Sequence, residues 1–208
     1  AGECNGATGA SLGYARIGRA TRVSVAGFWE RHRTVERTTD FSLPDLFGSQ
    51  PARDVLPAVP ATLQGVRASL RWFNGQDPNG LIVSGQLLGE AATGDADYRR
   101  GAATLSASHP LFLGLAGAVE GSVGAVFGDE LPQREFLLGG STTLRGFSDS
   151  ALRGASFWRG RAEVASGFAG ARIGLFTDAG WAGPRSAFAL DDPFVTLGVG
   201  TSLLDGLV

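Results

Sequence analysis

The side chains able to do covalent or metal chemistry are few and scattered. Cys4 is the sole cysteine, so neither an intrachain disulfide nor a cysteine zinc cluster can form. His32 and His109 lie far apart, and neither stands in an HExxH or comparable ligand spacing. No GxSxG elbow occurs, and serines such as Ser141 lack an evident histidine partner. His109, beside Pro110, reads as a turn residue rather than a base. No metal, no cofactor and no catalytic residue is therefore expected. What remains is ionic recognition. The segment Phe136-Leu137-Leu138-Gly139-Gly140-Ser141-Thr142-Thr143-Leu144-Arg145-Gly146-Phe147 sets one arginine among glycines, between two stretches of alternating apolar character. A lone Arg-Gly-Phe would be read as a solvated surface loop, so its meaning depends on the elements that flank it.

Those elements read as strands. Thirty-two glycines without a G-X-Y period disfavour collagen and long helices and favour bends and close strand contacts. Period-two alternation recurs along the chain. Val66, Ala68, Leu70 and Trp72 oppose Gly65, Arg67, Ser69 and Arg71. After the turn Asp77-Pro78-Asn79-Gly80, Leu81, Val83, Gly85, Leu87 and Gly89 oppose Ser84, Gln86 and Glu90. Ala103, Leu105 and Ala107 oppose Arg100, Thr104 and Ser106, with Thr93-Gly94-Asp95 as a hairpin connection before them. A single strand is expected from Leu111 to Phe127, about 17 residues against the usual 5–6 of a soluble sheet. Trp158, Ala162, Val164 and Phe168 then oppose Arg159, Arg161 and Glu163. Ile173, Leu175, Ala179 and Trp181 oppose Arg172 and Asp178, and Val195, Leu197, Val199 and Leu203 oppose Thr196, Gly198, Gly200 and Ser202. Thr21 to Val35 reads as a further strand, and residues 10–20 as one more.

Periodicity alone is equally met by a soluble sandwich with its apolar faces turned inward. Two features favour a membrane barrel. The polar faces are rich in glycine and serine rather than Lys and Glu, and Trp72, Phe127, Trp158 and Trp181 lie near strand ends, as in interfacial girdles. No run of about 18 apolar residues exists for a spanning helix, but barrel strands need only about 9–11 alternating residues. The stretch from Thr38 to Pro60 would be a long extracellular excursion, with long and short connections alternating. A net charge of −2 gives no general attraction to nucleic acid. No basic and apolar leader opens the sequence, so a signal is expected upstream or already removed.

With the strands in place, the glycine segment resembles the GG…(V/L)RGF signature of the sixth extracellular loop of BamA-like insertases, TamA-like factors and two-partner-secretion transporters, a superfamily of bacterial surface antigen-type barrels. Phe176-Thr177-Asp178-Ala179-Gly180 is similar to that superfamily's xxDxG strand motif. The resemblance runs from Ala61 onward and is looser over residues 1–60. It implies that residues 1–208 are one partial barrel domain of about eight or nine strands out of sixteen, all-β and antiparallel. It also implies that the loop over 128–155 folds back into the lumen, and that closing strands and periplasmic repeats lie outside this sequence. Gly139, Gly140, Leu144, Arg145, Gly146, Phe147, Glu163, Asp178 and Gly180 would form a loop–lumen network. A guanidinium drawn into a partly desolvated lumen needs carboxylates, and its planar fork can bind them bidentately.

The resemblance implies a non-enzymatic outer-membrane factor for insertion or translocation of polypeptides. Its expected partners are outer-membrane lipid, an unfolded outer-membrane or secreted polypeptide, and periplasmic or lipoprotein components. The alternatives are a passive outer-membrane pore, an export anchor for an upstream enzyme domain such as a patatin-like lipase, and a soluble β-sandwich binding module.

Overall fold

A computed structural model of the chain describes residues 3–36, 59–75, 77, 80–166, 171–188 and 192–203. Eleven strands follow in chain order: β1 Glu3–Ile17, β2 Thr21–Glu36, β3 Ala61–Asn74, β4 Ile82–Gly94, β5 Tyr98–Pro110, β6 Leu115–Gly128, β7 Phe136–Leu138, β8 Leu152–Gly154, β9 Ser156–Ser166, β10 Ala171–Gly183 and β11 Phe194–Leu203. Nine of them form one antiparallel sheet in the order β1-β2-β3-β4-β5-β6-β9-β10-β11, while β7 and β8 pair only with each other. The nine are 10 to 16 residues long, which suits strands tilted across a bilayer. Among the described residues no helix is long and apolar enough to cross a membrane.

The register sorts side chains onto two faces. Leu70 stands opposite both Val23 and Leu87, Val123 opposite Trp158, and Leu175 opposite both Val164 and Val199. This face carries the exposed apolar row, with Leu105, Val119, Val195 and Leu197 all more than half exposed. In water such a face would be an aggregation hazard; against lipid it is the expected outer wall. The other face is polar on one half and apolar on the other. Toward the β1–β2 turn it carries hydroxyl pairs, Ser24 with Ser69 at 2.7 Å, Ser84 with Ser106 at 2.7 Å and Thr104 with Ser122 at 3.0 Å. Toward the opposite end, Phe28, Leu63, Tyr98, Val126 and Phe157 are buried together with Phe136 and Leu138 of the ribbon β7–β8. Among the described residues the packed core therefore lies between the nine-stranded sheet and the two-stranded ribbon rather than between two broad apolar sheets, which removes the soluble-sandwich reading. The architecture is an all-β, antiparallel transmembrane barrel, partial, with its long loop on the inner face.

Connections at one end are residues 18–20, 75–81, 111–114 and 167–170; at the other they are 37–60, 95–97, 129–155 and 184–193. The second end carries the longest connection among the described residues, 129–155. Strict alternation of long and short does not hold, because the hairpin at 95–97 is short on the long-loop side: Thr93 donates to Asp97 across it at 2.5 Å, and Asp95 ties it to β3 by accepting from the Thr62 amide at 2.7 Å. The expected excursion over Thr38 to Pro60 lies almost wholly outside the described residues, as do Pro78, Asn79 and Phe168. Asp77 accepts from the Gly80 amide at 3.0 Å, as a turn there requires.

One strand is shorter than its alternation suggested. Residues 111–114 turn the chain between β5 and β6, with the Leu111 amide bonded to the Leu115 carbonyl at 2.7 Å and Leu113 and Gly114 both at positive φ. The leucines at 111 and 113 mimic strand periodicity because the turn is itself apolar. At the start of the chain, β1 begins well before residue 10 and pairs with β2 over its whole length.

Candidate lumenal site

The loop between β6 and β9 builds the site. Its first limb makes a single 3-10 turn at Pro132–Arg134, then β7. Its return limb is β8, whose Gly154 packs so closely on Gly183 of β10 that a side chain there would strike backbone. Between the two limbs the chain doubles back over Gly139–Phe147. The Gly140 amide bonds the Phe147 carbonyl at 3.0 Å, and the Leu144 amide bonds the Gly140 carbonyl at 3.2 Å. Thr143 closes the turn through Gly139, accepting from its amide at 2.8 Å and donating to its carbonyl at 2.5 Å. Gly140, at φ +80°, favours glycine on conformational grounds, and a Cβ there would also displace the Asp149 carboxylate.

This tight turn drives Leu144 and Arg145 against the wall. Leu144 is wholly buried, facing Leu138 across Gly180 of β10. The Arg145 seat is made of two cross-strand pairs of β9 and β10, Glu163 opposite Phe176 and Arg161 opposite Asp178. Arg145 donates to Asp178 from Nε at 2.9 Å, from NH2 at 2.7 Å and from its own amide at 3.0 Å. NH1 donates to Glu163 at 2.7 Å. The ring of Phe176 lies 3.6 Å beneath the guanidinium carbon. Asp178 has no exposed surface. A buried carboxylate is tolerable only when its lone pairs are filled, and this one accepts four hydrogen bonds counting Arg161 Nε at 3.3 Å. The hydrogen bond to Asp178 outweighs desolvation and, with that to Glu163, holds the Arg145 guanidinium above its ordinary value. Gly146, at φ +87°, passes beside Thr196, and Phe147 meets Phe194 of β11 edge-on at 5.4 Å. Gly139, Gly140, Leu144, Arg145, Gly146, Phe147, Glu163, Asp178 and Gly180 are thus brought to one region of the inner wall.

Several participants were not singled out from sequence. Arg159 donates to the Thr142 and Thr143 carbonyls at 2.8 and 3.2 Å and pairs with Glu120. A second ionic cluster holds the first limb on the far side of the lumen. Arg134 donates to Glu30 of β2 at 2.5 Å and lies 3.5 Å from Glu90 of β4. Arg67 of β3 bridges the same carboxylates, at 2.6 Å to Glu30 and 2.5 Å to Glu90, and stacks 4.1 Å over Phe28. Tyr98 donates to Glu90, and Gln133 exchanges hydrogen bonds with the Val59 backbone. Parity would have pointed to Glu30, Arg67 and Glu90 on one face; nothing in the loop sequence distinguishes Arg134. Because one loop reaches β2 and β4 as well as β9 and β10, strands that are not neighbours, the sheet must curl around it.

Fold and site together define a class: a partial outer-membrane-type barrel wall whose inner face seats a long arginine-bearing loop. Within that class, the chain is similar to a solved structure, CdiB from Acinetobacter baumannii, with a TM-score of 0.69 and 14% sequence identity over 96% of this chain. The likeness is one of fold, and the chain spans only 36% of that protein's length. No protein-family model matches the sequence, and no curated protein matches it.

Proposed function

We propose that this chain is barrel wall and lumenal loop of an outer-membrane polypeptide transporter of the two-partner-secretion kind. The observation that carries the reading is the Arg145 seat: a loop arginine held by a buried aspartate and a second carboxylate on the inner wall. The fold shared with CdiB supports the same reading. The mechanism is non-enzymatic, since no bond in the substrate needs to break. The loop fills part of the lumen, and the Arg145 seat sets where it stands and so how wide a path an unfolded polypeptide finds. Outer-membrane lipid is the partner of the exposed apolar face. The insertase branch would use the same loop to steady a barrel seam at which an incoming strand pairs.

The test is Arg145→Ala in the full-length protein, with folding checked by heat-modifiable migration. Export of the cognate secreted polypeptide should fall at least tenfold while the barrel still folds. Normal export from a folded variant whose loop has become protease-sensitive would refute the reading. Normal export with falling levels of other outer-membrane barrels would move the protein to the insertase branch, and conductance with neither effect would make it a passive pore.

A further inference from the structure

We propose that Arg134 is a second, weaker latch on the same loop, and that it opens first, freeing the loop's first limb from the β2–β5 wall while Arg145 keeps the tip seated. The inference rests on the transport reading above and gives it an order of events.

Three observations set that order. Arg145 makes three hydrogen bonds to Asp178 and one to Glu163, whereas Arg134 makes one short contact to Glu30 and a longer approach of 3.5 Å to Glu90. The two vacated sites also differ. If Arg145 leaves, Asp178 stays buried with Arg161 as its side-chain partner, at 3.3 Å. If Arg134 leaves, Glu30 and Glu90 remain bridged by Arg67, and Glu90 keeps Tyr98. Opening the first latch therefore leaves both carboxylates with short contacts to Arg67, whereas opening the second leaves the buried Asp178 with one long contact, to Arg161 at 3.3 Å. Thirdly, the tip is clasped by Arg159 on the Thr142 and Thr143 carbonyls, while the polar tie of the first limb beside Arg134 is Gln133 on the Val59 backbone, a contact exposed to solvent, and its apolar anchors Leu131, Phe136 and Leu138 sit in the packed core.

The space for such a movement already exists. A cavity of about 420 Å³ lies between the β2–β5 wall and the loop, lined by Ser24, Leu88, Arg100 and Phe136 among others. Phe136, which follows Arg134 by two residues, forms its loop-side boundary, with Arg100 stacked 4.3 Å over its ring. Withdrawal of the first limb lifts Phe136 off Phe157, whose ring centre is 4.5 Å away, and enlarges this cavity on the inner face. The widened strip is bordered by Ser24, Ser69 and Leu88 with small residues between them, and by the charged Arg67, Glu90 and Arg100. Arg134 is on this account a positioning residue for transport.

The experiment compares Arg134→Ala, Arg134→Lys and Glu30→Gln in the full-length protein by hydrogen exchange, with export measured in parallel. Arg134→Ala and Glu30→Gln should speed exchange at least tenfold over residues 131–138 and change it less than twofold over 142–147. Arg134→Lys, which keeps the charge, should return most of the protection. Arg134→Ala should also alter the export rate. Unchanged exchange over 131–138, or equal acceleration of both segments, overturns the latch order even if export depends on Arg145. The expected exchange pattern with unaltered export overturns the role of the latch in transport. If Arg145→Ala leaves export normal as well, the transport reading itself falls, separately from the latch.

Discussion

The loop is held by two arginines, and the two seats are built differently. Arg145 meets two cross-strand pairs on β9 and β10, with an aromatic floor and a carboxylate that no solvent reaches while the arginine is seated. Arg134 joins a shared network in which Glu30 and Glu90 already have a partner in Arg67. A seat that fails without its occupant and one that tolerates its absence serve different ends. The first defines where the loop tip stands, and the second regulates the limb that leads to it.

The sharpest way to break that comparison is to remove each arginine in turn. Arg145→Ala strands a buried carboxylate and should cost about 3 kcal/mol of loop stability, near the low end of measured losses for broken buried pairs because Arg161 remains. Loop amides over 139–147 should then exchange on the order of a hundredfold faster. A loss equal to that of Arg134→Ala would erase the distinction. Gly140→Ala attacks the same seat indirectly, through a residue at φ +80° with Asp149 in the way. It should cost about 2 kcal/mol, and protease nicking confined to the loop would report it. Arg145→Lys keeps the charge but loses the bidentate fork, so a loss of about 1–2 kcal/mol is expected. Arg134→Lys keeps the charge beside Glu30 while Arg67 still bridges both carboxylates, so a loss of about 0.5 kcal/mol, the low end of one hydrogen bond's net contribution, is expected. The ratio of the two lysine effects, read by hydrogen exchange in one experiment, sharpens the contrast with no truncation involved.

The same contrast explains what the sequence made legible. The alternation of Val66, Ala68, Leu70 and Trp72 with Arg67 and Ser69 set the two faces of β3 correctly, because side-chain direction in a strand follows parity alone. Arg145 stood out because its glycines are local in sequence: Gly139, Gly140 and Gly146 all occupy positive φ within one short turn. Leu111 and Leu113 misled, since a hydrophobic turn and a strand share the same spacing, and the hydrogen bond from Leu111 to Leu115 with the positive φ of Leu113 and Gly114 separates them. Arg134 was invisible for a different reason. Its partner Glu30 lies 104 residues away, on a strand that only the curl of the sheet brings to the loop. Local patterns report local geometry, and the second seat is a product of closure.

The most direct measurement is a double-mutant cycle between Arg145 and Asp178, using Arg145→Ala, Asp178→Ala and the pair in the full-length protein, with loop opening over 139–147 followed by hydrogen exchange. If the arginine holds the loop through that aspartate, the two losses overlap and the coupling energy is about 2 kcal/mol. Losses that simply add, with coupling near zero, would mean that the loop is kept in the lumen by something other than this pair.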